Sequence, residues 1–153
     1  MRSQIKSALV LIFTTALAMP ACAASLDDKI PDQQAIDALE VRASQAQPRE
    51  QCFLYAELVH DMIEVSLRQY AAGDPEKATG LLKRAQDFAH KIHLALSDDN
   101  KRLKNAEILL RHTAFRLTEM LHSSASEDRP LVQQTLAEVN QAQNEAMLQV
   151  FKK

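Results

Sequence analysis

The chain has 153 residues, room for one domain, with 46% hydrophobic and 25% charged residues and a formal net charge of −2 at pH 7. That balance excludes a disordered chain, and 2 cysteines exclude a disulfide-stapled scaffold. With 2 glycines and no Trp, tight β-turns, phosphate-cradling loops and base-stacking surfaces are all disfavoured. What remains is a small all-helical protein.

The first element is an expected signal peptide over residues 1–23. Arg2 and Lys6 supply a positive start, and Ala8 to Met19 form an apolar run too short to span a bilayer. Pro20 ends it, and Ala21-Cys22-Ala23 places small residues at the −3 and −1 positions of a cleavage site. Cys22 as a lipid-carrying residue is the rival reading. Met19 and Pro20 fit that poorly, because a lipobox wants an aliphatic residue and then a small one there. The expected location is therefore periplasmic or secreted. After cleavage Lys+Arg falls to 16 against 20 acids, a net charge of −4, and no later stretch is long and apolar enough to span a membrane. Cys52 is left alone: a buried thiol, an intermolecular disulfide partner or a reactive group.

Residues 24–48 read as a polar leader and a short helix from Pro31 to near Ala46, with Ile36, Leu39 and Val41 on one side. Residues 49–153 read as the bundle domain. Cys52, Ala56, Val59, Ile63 and Ser66 recur at spacings of four and three, the signature of one helix face. In Ala71-Ala72-Gly73-Asp74-Pro75, Gly73 suits a left-handed stop, Asp74 an N-cap and Pro75 the first helical position. The next stripe runs Ala78, Leu81, Ala85, Phe88, Ile92 and Ala95; the one after runs Leu103, Ala106, Leu110, Thr113, Leu117 and Met120. The two stripes are out of phase by one residue, and Ser97-Asp98-Asp99-Asn100 prefers caps and turns, so a break is expected at 97–100. Pro130 opens a last helix with the stripe Val132, Leu136, Val139, Gln143, Ala146 and Val150. The expected fold is an antiparallel up-down bundle of four long helices preceded by a short one.

Two Glu-x-x-His motifs, Glu57–His60 and Glu119–His122, resemble the ligand pattern of di-iron carboxylate bundles. They sit at different depths in helices that should run parallel, an axial offset of roughly 16 Å, so they cannot share one metal. Folding the chain about its turns instead levels Glu57 with His90 and His90 with Glu107, with His60 and His93 one turn away. Such a set holds Zn²⁺ only if the side chains converge; otherwise these are ordinary boundary residues. No nucleophile-elbow or Ser-x-x-Lys pattern is present, and no catalytic, cofactor or metal residue is assigned.

Charge divides the chain into an acidic stretch at 24–76, a basic one at 77–116 and a mildly acidic end. Either acidic helix two answers basic helix three, or Lys83, Arg84, Lys91, Lys101, Arg102, Lys104, Arg111 and Arg116 form a patch for an anionic envelope component. Nucleic acid is not an expected partner. The sequence supports an exported, non-catalytic helical module that binds a protein partner or itself. The weak stripe positions Ser66, Thr113 and Gln143, and the off-stripe Leu54, Leu58, Ile108, Phe115 and Leu148, either form a second contact face or widen the ordinary core. The alternative is a bundle that holds a metal ion or an anion. If the export reading is right, the intact mass of the secreted product will place the N-terminus at Ala24 or Ser25; diacylglycerol on Cys22 would overturn it.

Overall fold

The computed structural model describes residues 30–152, and the expected signal peptide, its cleavage site and Cys22 lie outside them. Five helices follow in order: α1 (Gln33–Gln45), α2 (Pro48–Ala71), α3 (Pro75–Ala95), α4 (Leu103–Ser123) and α5 (Arg129–Phe151). No strand occurs among the described residues, and none of their helices is long and apolar enough to cross a membrane. The architecture is the expected all-α bundle, with a short helix leading four long ones.

Local chemistry sets the helix ends. Asp32 caps α1, its Oδ1 accepting from the Ala35 N–H at 2.8 Å. Between α2 and α3, Gly73 is left-handed at φ +79; its N–H donates to Tyr70 O and the Asp74 N–H to Gln69 O, the paired bonds of a Schellman stop. Asp74 also caps α3 through the Lys77 N–H, and Pro75 follows at the first turn. The break between α3 and α4 falls where the stripes lose phase. Asn100, buried in that loop, accepts from the Ser97 N–H at 2.5 Å and donates to Ala95 O at 3.1 Å.

The four long helices form a ring in the order α2, α3, α5, α4, with α3 and α4 on one diagonal and α2 and α5 on the other. Both hairpins, α2–α3 and α4–α5, are antiparallel. Across the ring the neighbours are parallel: Glu50 meets Lys101, His60 meets Thr113 and Glu64 meets Arg116 in the α2/α4 seam. In the α3/α5 seam Gln86 meets Thr135 and His93 meets Glu145. The loop after α3 thus carries the chain across the bundle diagonal, and the consecutive helices α3 and α4 are not packing partners.

The core follows the predicted stripes with two shifts. In α1 the buried residues are Ile36, Leu39 and Ala43, while Val41, two positions off that spacing, is exposed. In α5 the buried seam is Val132, Thr135, Val139, Ala142 and Ala146; Leu136, Gln143 and Val150 flank it. Thr135 enters the core because its hydroxyl is satisfied there, donating to Leu131 O and accepting from Gln86 Nε2. Leu58 and Val65 are buried off the α2 stripe, on a helix that α1 also covers. α1 is thereby part of the packed body, and Leu58 belongs to the core, not to a spare face.

The two glycines should respond with opposite signs to alanine. Gly73→Ala meets no neighbour but strains a left-handed residue, and should cost about 1 kcal/mol. Gly80 lies exposed inside α3 with nothing within 4 Å of an added Cβ, so Gly80→Ala should stabilise by about 1 kcal/mol. Urea unfolding of both variants checks the pair.

Candidate functional site

The diagonal crossing dissolves the basic hairpin expected from sequence. Its two helices occupy opposite corners of the ring, so their charges cannot merge into one patch. Arg84 of α3 reaches to α1, meeting Glu40 at 2.6 Å and Asp37 at 3.4 Å. Lys101 meets Glu50 at 2.9 Å, and Arg116 clasps Glu64 at 2.7 and 3.1 Å while also pairing with Glu119. Acid on α2 is answered, but by Arg116 of α4, Lys101 of the loop before it and Arg42 of α1, not by α3. These pairs are partly exposed, so they set the arrangement more than the stability.

The levelled cluster of His90, Glu57 and Glu107 disperses as well, because α3 and α4 do not pack and Glu57 turns to α1. Glu57 binds Arg42, Glu107 accepts from Gln143 Nε2 at 2.9 Å, and His90 is exposed with its ring 6.1 Å from that of His93. His93 pairs with Glu145 of α5 at 2.5 Å. The Glu-x-x-His motifs stay apart: His60 lies level with Thr113, nine residues before His122 in α4, or roughly 14 Å along the axis. Among the described residues no three His, Cys, Asp or Glu side chains converge as metal ligands.

Ser66 and Thr113 are not surface weak points either. Both are buried: Ser66 Oγ donates to Ala78 O across the α2–α3 hairpin, and Thr113 Oγ1 donates to Leu109 O. Cys52 is fully buried, and burial pushes its thiol up to about 12, which keeps it protonated and unreactive at neutral pH.

What the structure does assemble is the face where α1, α2 and α4 meet. His60 sits 3.0 Å from Thr113, whose single hydroxyl proton is already committed to Leu109 O. His60 Nδ1 must therefore donate to it, leaving Nε2 bare in the neutral ring. Burial, with His112 and Arg116 nearby, holds His60 below the usual imidazole range, Glu64 opposing. The His112 ring lies 5.3 Å away. On the next position Asp61 is pushed up to about 6, by burial foremost and then by Glu57 and Glu64, with Arg42 opposing. These groups line a groove of about 540 Å³ over Phe53, Ile108 and Leu109. A second groove of about 510 Å³ shares Phe53 and Arg102 with it and continues to the end of α1. The two grooves carry an imidazole of lowered pKa and a protonatable carboxyl at one end, and no serine, threonine or cysteine lines them.

The outward face of α4 adjoins it. Ile108 is 45% and Phe115 60% exposed, seven residues apart on one side of the helix. Lys104 and Arg111 flank them, exposed and in no ion pair among the described residues. The sequence had marked Ile108 and Phe115 as off-stripe. Asp61 was not among the sequence candidates, although its place between Glu57 and Glu64 is a visible signal; Arg102 was among them, as one of the basic residues.

No protein-family model, curated protein or solved structure matches the chain, so its own residues carry any reading of function.

Asp61 yields a signed pH dependence. Its folded pKa lies above the ordinary value of 3.8, so folding favours the protonated form. Its contribution to stability is full below about pH 4 and is lost as pH rises through about 6. Asp61→Asn should raise the melting temperature at pH 7, and that gain should vanish near pH 4. An equal gain at both pH values would show that the carboxyl is not perturbed by its surroundings.

Proposed function

We propose that this chain is an exported, non-catalytic helical-bundle module of the cell envelope that engages a protein partner through the outward face of α4. The observation that carries the reading is the pair Ile108 and Phe115, exposed on one helix face in a stripe where they alternate with the unpaired cations Lys104 and Arg111. Scattered single apolar residues on a surface are ordinary, but an aligned pair containing a Phe, with an Arg between its members, has the composition of an interface. The interleaved positive charge favours a partner whose surface mixes acidic and apolar groups. Export rests on the n-region, apolar run and Ala-x-Ala site of residues 1–23. The non-catalytic reading rests on the inert Cys52 and on the burial of Thr113, the hydroxyl beside His60, whose proton goes to Leu109 O.

A photocrosslinking residue at position 115, expressed in the native envelope, should capture one saturable partner. Capture should be competed by untagged protein and weakened at least tenfold by Ile108→Asp with Lys104→Glu, the helical circular dichroism staying unchanged. A crosslinked homodimer would redirect the reading to self-association. Capture at position 87 on α3 with equal yield would refute the α4 face.

A further inference from the structure

A second site lies at the end of the bundle where α2 and α4 both begin. The parallel pairing puts these two N-termini side by side, and the Lys101 N–H donates to Arg49 O at 2.8 Å to lock them together. Neither helix has a side-chain cap at that end. Between them and the end of α1 runs the groove of about 510 Å³, a size suited to a small molecule. Phe53, Leu54 and Ala46 give it an apolar wall.

Its cations are not equivalent. Arg42 is taken by Glu57 and Lys101 by Glu50, each at 2.9 Å. Arg102 meets no carboxylate among the described residues; its Cζ lies 3.5 Å from the centre of the Phe53 ring. At that distance the guanidinium lies flat on the ring, which engages its face and leaves the N–H donors on its edge free. The backbone there is left-handed, φ +57, the one non-glycine residue so placed among those described. A position that suits Gly or Asn thus carries the groove's unclaimed cation, held against an aromatic wall.

We propose that this groove binds a small amphipathic monocarboxylate, its carboxylate forked onto Arg102 and its apolar body resting on Phe53 and Leu54. The guanidinium edge matches two carboxylate oxygens in one plane. One free cation suits a single negative charge, and Glu50 on the groove wall opposes a doubly charged head. The apolar wall beside the cation selects for a ring or aliphatic chain over a bare anion. This site borders the outward face of α4 through the shared groove residues Phe53 and Arg102, but none of its proposed contacts is Ile108 or Phe115, so it does not depend on that face's partner.

The test is a heteronuclear NMR titration of the purified protein with 3-phenylpropionate and octanoate, beside 3-phenylpropanol and inorganic phosphate. Saturable shifts confined to Gln45, Phe53, Leu54 and Arg102 are expected with the carboxylates, and at least tenfold weaker binding with the alcohol and with phosphate. Arg102→Gly removes the guanidinium while relieving the left-handed backbone, so it should fold at least as well and lose at least tenfold in affinity. Arg102→Lys keeps the charge without the fork and should fall between. Absence of saturable binding by both carboxylates would overturn the proposal. So would unchanged affinity in a folded Arg102→Gly protein, or equal binding of the alcohol. Tighter binding of phosphate than of either carboxylate would replace the assigned ligand class with a bare anion.

Discussion

The seven residues from Leu96 to Arg102 decide which helices are neighbours. They carry the chain from the end of α3 to the start of α4 across the bundle diagonal, and every inter-hairpin contact follows from that step. The loop is held by its own chemistry: Asn100 closes the carboxyl end of α3, and Lys101 bonds to the backbone of Arg49. With the loop so fixed, the two hairpins lie side by side in the same sense. Glu50 then meets Lys101 of the loop, and His60 and Glu64 find partners on α4 at matching heights.

The two parallel seams share a device. In one, Thr113 donates to Leu109 O and accepts from His60; in the other, Thr135 donates to Leu131 O and accepts from Gln86. Each threonine spends its proton on its own helix and offers its lone pair to the facing one. Both are fully buried, and no buried side-chain polar atom among the described residues lacks a partner. A helix sliding by one residue would strand these groups without water, so the pins resist wrong registers more than they add stability.

Element order and most of the core were legible because they depend on local chemistry. Gly73, Asp74 and Pro75 wrote a stop and a start into consecutive positions, and the phase slip between Ala95 and Leu103 marked the break. Neighbour relations were legible for the α2–α3 hairpin but not across the bundle. Periodicity gives the buried side of a helix but not the helix that covers it. The levelling of His90 with Glu107 assumed that α3 and α4 touch. The expected pairing of α2 acid with α3 base failed because the α2 acids turn to Arg42, Lys101 and Arg116, although α2 and α3 do pack. Thr135 in place of Leu136 was hidden because a threonine is buried only where a specific acceptor and donor meet it. Arg102 stood among the basic residues of the sequence, but its left-handed backbone and its place over Phe53 depend on the crossing and were not legible.

The ring of parallel neighbours also gives the molecule an electrical shape. In a ring of alternating helices each dipole is offset by the ones beside it. Here the amino ends of α2 and α4 lie together on one side of an end face, and the carboxyl ends of α3 and α5 lie together on the other. At the opposite end the signs exchange. Each end face is therefore polarised across its width, positive along one edge and negative along the other, independently of any ionised side chain. The effect is short in range, so a charged group is sorted between the two edges only once it rests on the end face.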